Sequence, residues 1–122
     1  MKYTVLAALI ISIISCTDSV TIPPDVIPKK NMETIIWQLI QSDEYVTSVI
    51  TKDSAKNGST ERIRLYQEVF ALNKVSKEEF KKSYQFYLGH PDIAKVMFDS
   101  IATRATRQKA DAYKFKVKVA KP

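Results

Sequence analysis

Residues 31–51 read NMETIIWQLIQSDEYVTSVIT. Within them Met32, Ile35, Ile36, Leu39, Ile40, Val46 and Ile50 recur at the i, i+3, i+4, i+7 intervals that gather on one face of an α-helix. A first helix reaching about Thr51 is therefore expected, with Trp37 lying off its apolar stripe. Working outward, Thr51 to Thr60 is polar and contains Asn57-Gly58, a turn signal. A second helix should follow, with Ile63, Tyr66, Val69 and Phe70 on its inner face. Asn73-Lys74-Val75 then leads to Ser76 and Glu79, whose spacing is that of a capping box in which each side chain satisfies the other residue's free amide. That predicts a third helix carrying Phe80, Tyr84 and Tyr87. In Gly89-His90-Pro91-Asp92 a helix stops and another starts: glycine past one end, proline in the first turn of the next, an acid near its positive pole. The fourth helix presents Ile93, Met97, Phe98 and Ile101 and fades after Ala102. The pattern predicts an all-α domain of four antiparallel helices over residues 31–103, with no internal repeat and no heptad run long enough for a coiled coil.

The rest of the chain bounds this core. Its 122 residues suffice for one modest domain, and 45% hydrophobic with 26% charged residues is the balance of a folded protein. Two glycines in all argue against a turn-rich β sandwich and against glycine-rich phosphate loops. The net charge of +6 sits entirely in residues 104–122, where Arg104, Arg107, Lys109, Lys114, Lys116, Lys118 and Lys121 face Asp111 alone. From Tyr113 the apolar residues Tyr113, Phe115, Val117 and Val119 alternate with Lys114, Lys116 and Lys118, a period of two that reads as a strand. A lone strand has no sheet to join on a helical body. This tail is thus expected to stay extended, or to order against a partner's sheet edge or an anionic surface.

At the other end, Lys2 precedes an apolar run over residues 5–14. Ten helical residues rise about 15 Å, half the hydrocarbon core of a bilayer, so the run suits a signal segment rather than a permanent span. It ends in Ile13-Ile14-Ser15-Cys16, which resembles the lipobox of bacterial lipoproteins. That resemblance implies removal of residues 1–15 and a diacylglycerol on the Cys16 thiol. Cys16 is the only cysteine, and in an oxidising envelope lipidation would account for an otherwise unpaired thiol. Residues 16–30, with Pro23, Pro24 and Pro28, are expected to form a partly extended tether. The expected location is the bacterial cell envelope, the outer membrane or periplasmic face rather than the inner membrane. Export conflicts with nucleic acid as a partner, despite the basic tail.

Taken in order, several stretches resemble a family of small Bacteroidetes lipoproteins, domain of unknown function 4296. They are Ile27-Pro28 with Met32, Tyr66-Gln67-Glu68-Val69-Phe70, Val75-Ser76-Lys77-Glu78-Glu79-Phe80, Ser83-Tyr84-Gln85-Phe86-Tyr87, and His90-Pro91 before a helix bearing Phe98. The likeness covers roughly residues 27–101. It departs at Gln38, where an acidic residue is expected. The resemblance implies a small helical lipoprotein and no activity.

Candidate sites are few. His90 is the only histidine and suits a capping turn better than metal or acid–base chemistry. Asp43-Glu44 and Glu78-Glu79 are sequence neighbours that diverge on a helix, so neither forms a catalytic carboxylate pair. No catalytic residue, metal ligand or cofactor is expected. Trp37 and Phe86, off the apolar faces of their helices, are candidates for exposed contacts together with Lys114, Lys116 and Lys118. Ser54, in Asp53-Ser54-Ala55, resembles the acceptor of Bacteroidetes envelope O-glycosylation. Asp18-Ser19-Val20 and Asp99-Ser100-Ile101 share the pattern less convincingly. The expected role is that of a non-catalytic binding or accessory subunit, held to the membrane by lipid and docking on an envelope protein. The alternative is a carrier enclosing a small apolar ligand in a cavity lined by Ile36, Leu39, Phe70 and Phe80.

Overall fold

A computed structural model describes residues 20–53 and 57–119. Its helices are α1 (Lys29–Ser48), α2 (Gly58–Leu72), α3 (Lys77–Leu88) and α4 (Pro91–Val119), with a 3₁₀ turn at Ile50–Lys52 and no strand among the described residues. The all-α expectation holds.

Local chemistry sets the helix ends. The Asn57 side chain accepts from the Ser59 and Thr60 amides at 3.0 and 3.3 Å and starts α2. Gly58 allows a close approach there: a Cβ would stand 3.3 Å from Thr51 Cγ2 and 3.4 Å from Val46 Cγ1, so those methyl groups would have to give way by a few tenths of an ångström. The expected capping box opens α3, with the Glu79 amide donating to Ser76 Oγ at 3.1 Å and the Ser76 amide to Glu79 Oε2 at 2.7 Å. Between α2 and α3, Lys74 adopts the left-handed conformation at φ 55°. The Val75 amide donates to Phe70 O at 3.0 Å and the Lys74 amide to Ala71 O at 3.1 Å. These two bonds make a Schellman stop with lysine where glycine is usual.

Side-chain pairs define the topology. Arg62 Nε and the Tyr66 hydroxyl donate to the two oxygens of Asp43 at 2.7 and 2.8 Å. Asn73 Nδ2 donates to Gln38 Oε1 at 2.6 Å, so α2 runs antiparallel down α1. At the same joint, the rings of Phe70 and Phe80 lie 5.3 Å apart. From there α3 continues the descent towards Ile27, which Ser83 and Tyr87 bind. Helix α4 then turns back. The Ser100 hydroxyl donates to Glu33 Oε2 at 3.3 Å, and Arg104 lies 5.1 Å from the centre of the Trp37 ring. One descending leg is therefore divided between α2 and α3, laid end to end along α1. The antiparallel relation holds for α1–α2 and α3–α4, while α1 and α4 run the same way.

Helix α1 is central, covered by α2 and α3 on one side and α4 on another. This explains the first correction: Trp37, expected to be exposed, is buried at 6% exposure. A helix covered from two directions buries a wider arc than one amphipathic stripe. The second correction concerns the tether. Val26 and Ile27 belong to the core, and a turn closed by the Val26 amide on Pro23 O at 3.1 Å leads into them. Only part of residues 16–30 can therefore act as a spacer.

The third correction concerns the tail, where α4 runs without interruption to Val119. Arg107, Gln108, Lys109, Ala110 and Ala112 favour helix. Extending an existing helix adds a hydrogen bond per residue with no new nucleation cost, whereas a strand there would have no neighbour. The helical domain thus exceeds residues 31–103 at both ends.

Candidate functional site

The base of the molecule is a polar clamp inside an apolar core. Ser83 and Tyr87 are both fully buried, one turn apart on α3. Ser83 Oγ accepts from the Ile27 amide at 2.9 Å, and the Tyr87 hydroxyl donates to Ile27 O at 2.7 Å. Both backbone groups of one buried residue are thereby satisfied by one helix face. Burial, with Glu33 adding to it, raises the Tyr87 hydroxyl above the usual tyrosine range, so it stays a donor at neutral pH. Outside the clamp, Lys82 pairs with Asp25; this exposed contact holds the Asp25 carboxyl below its ordinary value, chiefly through the hydrogen bond.

Phe86 and His90 belong to the same end. Phe86 is half-buried, with its ring edge-on to Tyr87 at 5.5 Å and tilted by 31° against His90 at 4.2 Å. His90 Nδ1 lies 2.7 Å from Phe86 O. Histidine thus closes the α3–α4 turn, and Phe86 is partly committed to packing.

Higher up, Asp43 joins α1 to α2 through Arg62 and Tyr66. Burial first, then the bond to Asp43, pushes the Tyr66 hydroxyl up to about 12. That hydroxyl is engaged as a donor to Asp43. Among the described residues no three of His, Cys, Asp and Glu gather to hold a metal ion.

Among the described residues, two surfaces stand out. The first is an apolar groove where α2 meets α3 above Leu39. A cavity of about 260 Å³ is lined by Leu39, Tyr66, Phe70, Phe80 and Tyr84 with Lys77 and Lys81. Next to it, a cavity of about 210 Å³ shares Tyr66, Phe70 and Lys77 and adds Ile63 and Gln67. Ile63, expected inward, is 60% exposed on this rim. Leu39, Phe70 and Phe80 thus come together as the sequence suggested, but in an open groove rather than an enclosure. Ile36 does not line it and is buried in the core.

The second surface is the distal part of α4. From Thr106 to Lys118 every described side chain is exposed. Tyr113 and Phe115 are 70% and 69% exposed and, two residues apart on a helix, point to opposite sides. Lys114, Lys116 and Lys118 lie among them, and Lys114 stands 3.8 Å from Asp111 in an exposed pair. Where α4 diverges from α1, a cleft of about 330 Å³ opens beside Trp37, lined by Ile40, Glu44, Ala105, Gln108, Lys109 and Ala112. Trp37 is thus the floor of a cleft rather than an outward contact. Cys16 and Ser54 lie outside the described residues. Sequence reasoning missed Ser83, whose buried hydroxyl has no signal in an apolar periodicity; its spacing of four from Tyr87 was the available hint.

Fold and surfaces together define a small all-α domain built around the clamped Ile27 segment, with an aromatic groove and a basic helix end that is exposed among the described residues. The chain belongs to the family described as domain of unknown function (DUF4296), which matches residues 23–111. The match begins at Pro23, where the chain docks, and ends at Asp111, before the exposed Tyr113 and Phe115. Neither a curated protein nor a solved structure matches the chain.

Proposed function

We propose that the protein is a lipid-anchored accessory subunit of the bacterial cell envelope, on the outer membrane or periplasmic face. In this reading it acts by docking an acidic surface of an envelope protein through the distal part of α4. The observation that carries the reading is the distal helix itself, which is basic, bears Tyr113 and Phe115 exposed on opposite sides, and is left open by the other described residues. Burying aromatic side chains and pairing charges is the general means by which such a surface gains affinity. The anchor rests on the sequence alone, on the apolar residues 5–14 and on Cys16. No helix among the described residues is long and apolar enough to cross a membrane.

The layout suits a docking arm. Ile27 is held at the base, where α3 ends and α4 begins. Val119 lies 28 residues beyond Pro91, about 40 Å along the helix at 1.5 Å per residue. An anchor entering beside Ile27 leaves the distal helix at the opposite end of the molecule.

Two measurements test the reading separately. Cys16→Ser should leave an uncut precursor that takes up no labelled palmitate; normal processing and membrane retention of that variant would refute the anchor. Capture from membranes, with the lipid intact, should recover one envelope protein in stoichiometric amount with the wild type. That protein should be lost when Lys114, Lys116 and Lys118 are replaced by glutamine, and lost more readily at high salt. Equal recovery with both proteins would refute the docking surface.

A further inference from the structure

The groove at the α2–α3 joint has a composition that the docking reading does not use. Its lining is largely carbon: Leu39 from α1, Tyr66 and Phe70 from α2, and Phe80 and Tyr84 from α3. Phe70 and Phe80 meet at 5.3 Å, and Phe80 and Tyr84 stack at 5.9 Å with their planes 18° apart. The one polar group of Tyr66 is turned away from the groove, its hydroxyl bound to Asp43. Together the two adjoining cavities reach the lower end of the volumes that hold small molecules, about 300–1,000 Å³.

The charged residues that line the groove are of one sign. Lys77 and Lys81 are four residues apart on α3 and so share a face. Lys77 lines both cavities and Lys81 the larger one. Neither forms an ion pair among the described residues, although Arg62, Arg64, Lys82, Lys95 and Lys114 all do. Of the neighbouring acids on α3, Glu79 is committed to the capping box on Ser76. Lysine stems lie along apolar surface while their ammonium groups stay in water at its edge. An aromatic trough with ammonium groups at its edge is complementary to a molecule that is apolar along its length and anionic at one end.

We infer that the α2–α3 groove is a binding site for an amphipathic monoanion, a long-chain carboxylate of the fatty-acid type. Its chain lies over Leu39, Phe70 and Phe80, and its carboxylate meets Lys77 and Lys81. The site stands on the body of the fold, remote from the distal part of α4, and holds whether or not that helix docks a partner. It gives the carrier role a defined ligand class and an open trough, in place of an enclosing cavity.

Calorimetric titration of the full chain with dodecanoate, dodecanol and acetate tests the inference. Dodecanoate should bind, dodecanol should bind on the order of tenfold more weakly, and acetate should not bind. Lys77→Met with Lys81→Met should bring dodecanoate and dodecanol to equal affinity, while Lys77→Arg with Lys81→Arg should keep the preference. Phe70→Ser should weaken both ligands while leaving their ratio unchanged, and a variant with Lys114, Lys116 and Lys118 replaced by glutamine should bind as the wild type does. Equal binding of dodecanoate and dodecanol to the wild type would overturn the inference. So would undiminished preference in the double methionine variant, a loss confined to the distal lysine variant, or no binding of dodecanoate at all.

Discussion

The two ends of α4 lie in opposite environments. Near its start, Ala94, Met97 and Ile101 are buried against a core that includes Met32, Ile35 and Tyr87. After Ala105 every described side chain of the same helix is exposed, and Gln108, Lys109 and Ala112 only line an open cleft beside Trp37. The base holds a buried hydroxyl pair on Ile27, while the distal part carries exposed rings and lysines. One helix thus serves as core at one end and as surface at the other. The difference separates stability from contact: substitutions at the base should unfold the protein, and substitutions at the far end should leave it folded.

The largest expected effect is at Tyr87. Tyr87→Ala removes a fully buried ring and should cost about 3–5 kcal/mol in urea melts followed by circular dichroism. A loss below about 1 kcal/mol would break the comparison at its strongest point. Ser83→Ala comes next. It leaves the buried Ile27 amide without its acceptor and should cost about 1–3 kcal/mol. Ser83→Thr, which keeps the oxygen but adds a methyl group, would show whether space or the hydrogen bond matters more.

Smaller effects belong to the helix ends. Ser76→Ala should lower stability by about 1 kcal/mol. Its partner gives a pH dependence of known sign. The bond from the Ser76 amide, then that from its hydroxyl, holds the Glu79 carboxyl below its ordinary value of 4.5. Stability from that carboxylate is therefore complete above about 4.5 and is lost as the pH falls through the lower folded value. The gap between wild type and Glu79→Gln should close over that acid range, and a gap that stays constant would remove the charge from the account. Lys74→Gly has the opposite sign: relieving a left-handed lysine at φ 55° should raise stability by about 1 kcal/mol. Least of all, Phe115→Ser should change stability by less than about 0.5 kcal/mol. A larger loss would mean that the distal helix is part of the folding unit.

Much of the fold was legible because helical signals are local. The stripe from Met32 to Ile50, Ser76 with Glu79, and Gly89 before Pro91 each act within a few residues, and the helices lie close to where these place them. Misreadings arose where a second body intervened. Trp37 is off the stripe of an isolated helix but under α4 in the folded one. Ile63 is on the stripe of α2, yet overhangs a groove. The alternation from Tyr113 to Val119 is a true period of two, but it follows an established helix whose elongation needs no partner. Of the candidate contacts, Lys114, Lys116 and Lys118 are exposed as the sequence suggested, Phe86 is half-buried and Trp37 is buried.

By itself the sequence determined the helices, their caps and the confinement of charge to the last residues. These depend on side-chain period, on hydrogen bonds within one turn and on composition, none of which needs a tertiary contact. Only the tertiary structure decided that α2 and α3 share one leg and that Ile27 is gripped by Ser83 and Tyr87. It also decided that Lys77 and Lys81 stand at the rim of an aromatic trough. Each of these joins residues that are far apart in the chain or on different helices, and a one-dimensional pattern carries no record of which faces will meet.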